Sequence, residues 1–257
     1  MDLTGHTILI TGGSAGIGLA FARKFVELGN VVIVTGRRQS KLDECKAANP
    51  KLHCIQSDVA KTSDIVALAE RVKREFPKLD VLMNNAGTYH NLNLTVPAKN
   101  LDTLMDEIST NLTGTICTTS AFVDILTANK GTILNVSSGL AYAPLASAPI
   151  YSATKAAVHS YTVSLRFQLQ DAGVRVVELL PPTVRTDLTA DLPEGGDVKI
   201  ITTDVLVDAT IKALKAGSLE ICVGQSAQLM WMSRIAPGFI NGQLYKGSKS
   251  QIPAAGK

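Results

Sequence analysis

Tyr151 and Lys155 stand four residues apart in a stretch with helical periodicity, so a phenol and an ammonium share one helix face. A phenol titrates near pH 10 and is a poor acid or base at neutral pH, but a neighbouring ammonium stabilises the phenolate and brings its pKa toward the working range. Taken alone the YxxxK pattern is weak, since five tyrosines and sixteen lysines in 257 residues produce about 0.3 matches by chance. Tyr245 and Lys249 do repeat the spacing. The two pairs differ in context: thirteen residues before Tyr151 comes Ser138, directly after the strand-like run GTILNVS, whereas thirteen residues before Tyr245 comes Met232. A hydroxyl, a phenol and an ammonium brought together could protonate a carbonyl oxygen, or take a proton from an alcohol.

A second chemical signal lies near the start. The segment TGGSAGIG ends an apolar run and sets Gly12, Gly16 and Gly18 at GxxxGxG spacing, with Ile17 opening an apolar helix. Glycine at 12 permits a tight turn, at 16 lets backbone approach a pyrophosphate, and at 18 lets helix and sheet pack closely. The free N–H groups of the helix start would then face the anion. An ordinary glycine-rich turn is the plainer reading of the glycines by themselves. The second apolar run ends VVIVTGRR, so the position where a carboxylate would accept the 2′-hydroxyl of NAD carries Gly36, followed by Arg37 and Arg38. A guanidinium can fork onto a 2′-phosphate, and two unit charges about 4 Å apart near a protein surface interact by roughly 4 kcal/mol. NADPH is therefore expected over NADH, with Arg38 alternatively lying in solvent at the start of the next helix.

These residues need a frame that brings them together. Short runs rich in Val and Ile, at 7 to 11, 31 to 35, 52 to 56, 80 to 83, 131 to 136, 174 to 180 and 219 to 223, alternate with helical periodicity at 16 to 29, 40 to 48, 62 to 76, 101 to 127, 151 to 172, 203 to 216 and 226 to 234. That alternation predicts a Rossmann-type α/β fold: a doubly wound, seven-stranded parallel sheet with helices on both faces, in a single domain over residues 1–257. Ligands of such sheets bind at the C-terminal ends of the strands, where the strand order reverses. Residues 183–201 have no clear period and are expected to form a lid over the substrate.

Composition narrows the partners. With 46% hydrophobic and 18% charged residues and a net charge of +3, the chain has ample core material and no basic concentration suited to nucleic acid. Its four cysteines and four histidines are dispersed, which suggests neither disulfides nor a metal site. The opening MDLTGHTILITGG has no leader pattern, and no apolar run reaches the roughly 20 residues of a membrane helix. A cytoplasmic setting is expected.

In chain order, TGGSAGIG, Asp58, NNAG at 84 to 87, Asn111, Ser138, Tyr151 and Lys155 together resemble the short-chain dehydrogenase/reductase family, in its branch of roughly 250-residue enzymes. The resemblance implies that Tyr151 is the general acid in carbonyl reduction and the base in alcohol oxidation. Ser138 would polarise the substrate oxygen, Lys155 would bind the nicotinamide ribose and lower the tyrosine pKa, and Asn111 would hold a water in a proton relay. It also implies cofactor contacts from Ser14, Ile17, Asp58, Val59, Asn85, Ala86, Gly87, Pro181, Val184 and Thr186, and a homodimer or homotetramer built on the helices at 101 to 127 and 151 to 172. Plainer roles stand beside some of these: a cap for Asp58 and Thr186, and a structural hydrogen bond for Asn84.

One feature departs from the family pattern. After the sixth strand the family has Pro-Gly, and this chain has Pro181 and Pro182, which removes an N–H and fixes φ. The double proline and the closing LMWMSRIAPGF resemble the reductases found beside teichoic-acid D-alanylation genes. Met230, Trp231 and Met232 are expected in core or interface packing, and Tyr89 and His90, which could reach substrate, in an exposed loop. Leu140, Leu145, Leu188 and Leu192 hint at an apolar substrate. Two other function classes compete: a cofactor-binding regulator without catalysis, and an epimerase or dehydratase with no net cofactor turnover.

Overall fold

A computed structural model describes residues 2–96, 101–190 and 199–254. The Val- and Ile-rich runs form β1 (Thr7–Ile10), β2 (Val31–Gly36), β3 (His53–Gln56), β4 (Leu79–Asn84), β5 (Thr132–Val136), β6 (Arg175–Leu180) and β7 (Glu220–Cys222). All pair in parallel, in the order β3-β2-β1-β4-β5-β6-β7. Between them run α1 (Gly16–Glu27), α2 (Gln39–Ala48), α3 (Thr62–Glu75), α4 (Leu101–Glu107), α5 (Gly114–Ala128), α6 (Pro149–Gln168) and α7 (Thr203–Lys215), followed by α8 (Gln225–Ile235) and α9 (Pro237–Ser248). The sheet is of the Rossmann type, with helices on both faces.

The period of two along a strand sends alternate residues to opposite faces, which explains why these strands are apolar throughout. Ile8 and Ile10 join Val32, Val34 and Met83 in a core against Phe21 and Phe25 of α1 and Leu206 and Leu214 of α7. Leu9 points the other way, joining Ile33, Leu82 and Ile133 against Val72 of α3, Phe122 of α5 and Leu165 of α6. Each fully buried large side chain contributes roughly 1.5–3 kcal/mol. The strand order reverses beside β1, between β2 and β4, and this opens a crevice at the C-terminal ends of β1 and β4.

Three departures from the sequence reading matter for the site. The helix expected over 101 to 127 is broken by a π-helical segment, Ile108–Thr113, between α4 and α5. An unexpected α9 starts with Pro237 at its first turn, where the missing N–H costs nothing. The segment expected as a lid is partly ordered by pairing: Val184 bridges Ile201, and a 3₁₀ turn covers Asp187–Thr189. Residues 191–198 of that segment, Leu192 among them, lie outside the described residues. Among the described residues no helix is long and apolar enough to cross a membrane.

Candidate active site

β5 and α6 carry the chemical groups. Two residues beyond Val136 at the end of β5, Ser138 heads a 3₁₀ turn, and its Oγ accepts the Leu140 N–H at 3.1 Å. Pro149 opens α6, whose first two turns present Tyr151 and Lys155. Lys155 is buried, its Nζ donating to the Val136 carbonyl at 2.9 Å and standing 5.6 Å from the centroid of the Tyr151 ring. Loss of water pushes the half-buried Tyr151 phenol up to about 12, while its hydrogen bond with Ser138 acts in the opposite direction. Burial also pulls the Lys155 ammonium down to about 8. Burial is the largest influence on the phenol, and the Lys155 ammonium that stands over its ring is itself desolvated.

Asn111 sits in the π-helical segment and is buried. Its Oδ1 accepts the Thr88 N–H at 2.8 Å, and its Nδ2 donates to the Thr88 carbonyl at 2.9 Å and to Thr154 Oγ1 at 3.3 Å. A Cβ placed on Gly87 would lie 3.3 Å from Asn111 Oδ1 and 3.8 Å from Lys155 Nζ, so these three residues border one small space. Tyr89, two residues on, meets Tyr151 edge-on with ring centroids 5.1 Å apart.

The glycine turn is built around β4. Gly12 has φ +64°, and a Cβ there would fall 2.8 Å from Ala86 Cα. Asn85 Nδ2 donates to the carbonyls of Thr11 and Gly12 at 3.0 and 3.2 Å, and it occupies the space a Cβ on Gly18 would need. Thr11 Oγ1 accepts the N–H groups of Asn85 and Ala86 at 3.0 and 3.1 Å. No side chain caps the start of α1 and no acidic residue stands in its first turn, so the leading amides of Gly16, Ile17 and Gly18 form a cradle suited to an anion. Thr186 faces this cradle, its Cγ2 lying 3.2 Å from a Cβ placed on Gly16.

The profile of the family described as short chain dehydrogenase matches residues 6–197. The chain belongs to the short-chain dehydrogenase/reductase family. It is 40% identical over 224 residues to the uncharacterized oxidoreductase DltE of Bacillus subtilis (strain 168), covering 86% of this chain and 89% of that protein. A short chain dehydrogenase from Burkholderia cenocepacia J2315, solved in complex with NADP, superposes with a TM-score of 0.83 at 26% identity, covering 95% of this chain and 99% of that one. The 3-ketoacyl-(acyl-carrier-protein) reductase from Brucella melitensis, complexed with NADH, superposes at 0.76 and 27% identity, over 82% of this chain and 91% of that one. The protein is thus an oxidoreductase of the short-chain dehydrogenase/reductase family.

The remaining family positions lie at the C-terminal ends of β1, β2, β3, β4 and β6 or in the turns that follow. Ser14 lies at the end of β2, where its Oγ is 2.7 Å from a Cβ placed on Gly36. Arg37 is exposed and paired loosely with Asp106 of α4 at 3.6 Å, and it borders a cavity of about 530 Å³ shared with Gln56, Asp58 and Lys61. Arg38 is the residue at the start of α2, with its side chain in solvent. Asp58 does not cap α3, whose N-cap is Lys61; its Oδ1 instead accepts the Ala60 N–H at 3.1 Å. Val59 is buried against Gly114 of α5. Asn84 has a structural role, donating to Thr119 Oγ1 and Asn135 Oδ1 at 2.9 and 2.8 Å. The Pro181 carbonyl accepts the Gly139 N–H at 3.1 Å, and Val184 is buried. The Thr186 N–H donates to Thr189 Oγ1 at 3.1 Å, a turn contact. Leu140 and Leu145 are half-buried and Leu188 is exposed. Trp231 is 59% exposed, which removes it from the core.

Three residues escaped the sequence reading. Thr11, at the head of TGGSAGIG, and Glu107 accept backbone N–H groups of the loop after β4. Glu178 is wholly buried on β6, where Ser137 Oγ donates to its Oε1 at 2.5 Å and His159 Nδ1 lies 2.8 Å from its Oε2. Tyr89, expected in an exposed loop, is half-buried against Tyr151.

Proposed function

We propose that the protein is an NADPH-dependent reductase or dehydrogenase interconverting a carbonyl and an alcohol, with Ser138, Tyr151, Lys155 and Asn111 as its catalytic group. The observation that carries this reading is contiguity. The glycine turn touches Ala86, the next residue Gly87 borders both Asn111 and Lys155, and Lys155 stands over Tyr151, which is hydrogen-bonded to Ser138. Residues 1–257 are read as one domain and 183–201 as its substrate lid.

A nicotinamide dinucleotide supplies or accepts the hydride when bound. The uncapped amides of α1, with Ser14, would hold its pyrophosphate. Arg37 and Arg38 would meet a 2′-phosphate. Asp58, Val59, Asn85 and Ala86 would line the adenosine side, while Gly87, Lys155, Pro181, Val184 and Thr186 would line the nicotinamide side. In reduction, Tyr151 donates its phenolic proton to the substrate oxygen, which Ser138 Oγ also hydrogen-bonds. The phenol is protonated at neutral pH, as an ordinary tyrosine is, and burial pushes its pKa further up. Lys155 favours the phenolate left behind, and Asn111, joined to Thr154 beside it, fixes the helix turn from which Lys155 projects. A homodimer or homotetramer is proposed, with α4, α5 and α6 as its contact surface.

The test is a panel of ketones, aldehydes and alcohols with NADPH and NADH, followed by the absorbance of the reduced nicotinamide. Stoichiometric cofactor oxidation with at least one carbonyl is expected; binding without oxidation would favour a regulator, and product without oxidation an epimerase or dehydratase. Arg37→Ala is expected to raise KM for NADPH roughly tenfold or more while leaving KM for NADH within about twofold. Equal changes for both would remove Arg37 from phosphate recognition.

A further inference from the structure

The segment leaving β4 passes directly beside Tyr151, and two buried side chains one helical turn apart hold it there. Asn111 binds both the N–H and the carbonyl of Thr88. Four residues earlier Glu107, 1% exposed, accepts the His90 N–H through Oε1 at 2.7 Å. Between these two gripped peptides stands Tyr89. Its ring meets that of Tyr151 at 5.1 Å and 73°, and its hydroxyl donates to Asn91 Oδ1 at 2.9 Å.

A carboxyl buried in this position is costly to desolvate, and an aliphatic side chain would fill the space more cheaply. Glu107 gains little in return from ionic pairing: His90 Nδ1 stands 3.7 Å from Oε1, and Oε2 has no hydrogen-bond partner. What a valine or leucine could not supply is an acceptor for the His90 amide. The π-helical segment begins at Ile108, directly after Glu107, and carries Asn111. Glu107 and Asn111 thus sit at successive turns facing the same strip of backbone.

Resting on the reading of Tyr151 as the proton donor, we propose that Glu107 is a positioning residue and Tyr89 a specificity-determining one. Glu107 and Asn111 together clamp residues 88–90 so that Tyr89 forms an aromatic wall beside the reacting group. The wall favours carbonyl substrates bearing a flat aromatic substituent next to the carbonyl, which can pack against the ring, over those bearing small alkyl groups. Burial pushes the Glu107 carboxyl above its ordinary pKa, and a protonated acid still accepts the amide through its carbonyl oxygen. Glutamine should therefore replace it.

The experiment compares kcat/KM for an aryl alkyl ketone and a dialkyl ketone, with NADPH, in wild type, Tyr89→Ala, Glu107→Ala, Glu107→Gln and the Tyr89→Ala/Glu107→Ala double variant. The aryl-over-alkyl ratio should fall about tenfold in each alanine variant and no further in the double variant, because both changes remove the same wall. Glu107→Gln should keep the ratio within about twofold of wild type, and cofactor affinity measured by fluorescence should be unchanged throughout. An unchanged ratio in Tyr89→Ala, an equal loss for both ketones in Glu107→Ala, or a Glu107→Gln variant that loses the ratio would each overturn the proposal. Should Glu107→Ala fail to fold, the Tyr89→Ala and Glu107→Gln results still decide. The ratio is read with Tyr151 intact and needs turnover, not a particular proton donor. Undiminished turnover in Tyr151→Phe would thus defeat the underlying reading and leave the comparison of ratios standing.

Discussion

Thr11 Oγ1 accepts the N–H groups of both Asn85 and Ala86, tying the glycine turn to the end of β4 with a single hydroxyl. Thr11→Val keeps the shape and removes the acceptor, leaving two amides unpaired, so a loss of about 1–3 kcal/mol is expected in urea unfolding. Thr11→Ser should lose less than half of that; equal losses would assign the effect to packing instead. The glycines beside Thr11 were legible in the sequence, but part of the reason for them was not. Gly12 does make a left-handed turn, yet the closest neighbour of a Cβ there would be Ala86, 74 positions along the chain. A local motif cannot report such a long-range approach, nor does the threonine that opens TGGSAGIG reveal which distant amides it accepts. Ser138, Tyr151 and Lys155 were legible because a strand end and a helix face bring them to one place by regular geometry. Their electrostatics were not, because desolvation depends on everything packed around them.

At the scale of elements, α6 presents Tyr151, Lys155 and His159 at successive turns, and the third is held by Glu178 of β6. The same carboxylate accepts from Ser137, the residue before Ser138, so one buried group ties α6 to the end of β5. The Glu178 hydrogen bond raises the His159 pKa above its ordinary value. A folded-state pKa above the unfolded one means that the pair contributes fully below about pH 6.5, and that this contribution disappears as pH rises through the raised value. The stability difference between wild type and His159→Gln, measured by urea unfolding, is expected to shrink across that window; a difference that grew with pH would contradict the pairing. The strands and most helices could be read from periodicity alone. The π-helical break at Ile108–Thr113 could not, because it changes the backbone hydrogen bonding over a few residues and leaves helix on both sides. Nor could α9, where Gly238, Gly242 and Gly247 argue locally against a helix.

At the scale of the whole molecule, Leu101 and Met105 of α4, Ile116 of α5 and Phe167 of α6 are exposed large apolar residues, on the helices proposed to meet a second copy. Phe167→Glu is expected to shift the sedimenting species toward the monomer without changing the far-ultraviolet dichroism, whereas an unaltered assembly would take α6 out of the interface. The sheet's larger consequence is convergence. The glycine turn at the end of β1, a serine beyond β5 and a phenol and ammonium on α6 come together along the C-terminal side of the sheet, where the strand order reverses beside β1. The most direct test is single-turnover reduction by Tyr151→Phe, with NADPH affinity measured on the same sample. At least a roughly hundredfold loss in rate with unchanged affinity is expected when a general acid is removed; a rate near that of wild type would contradict the account.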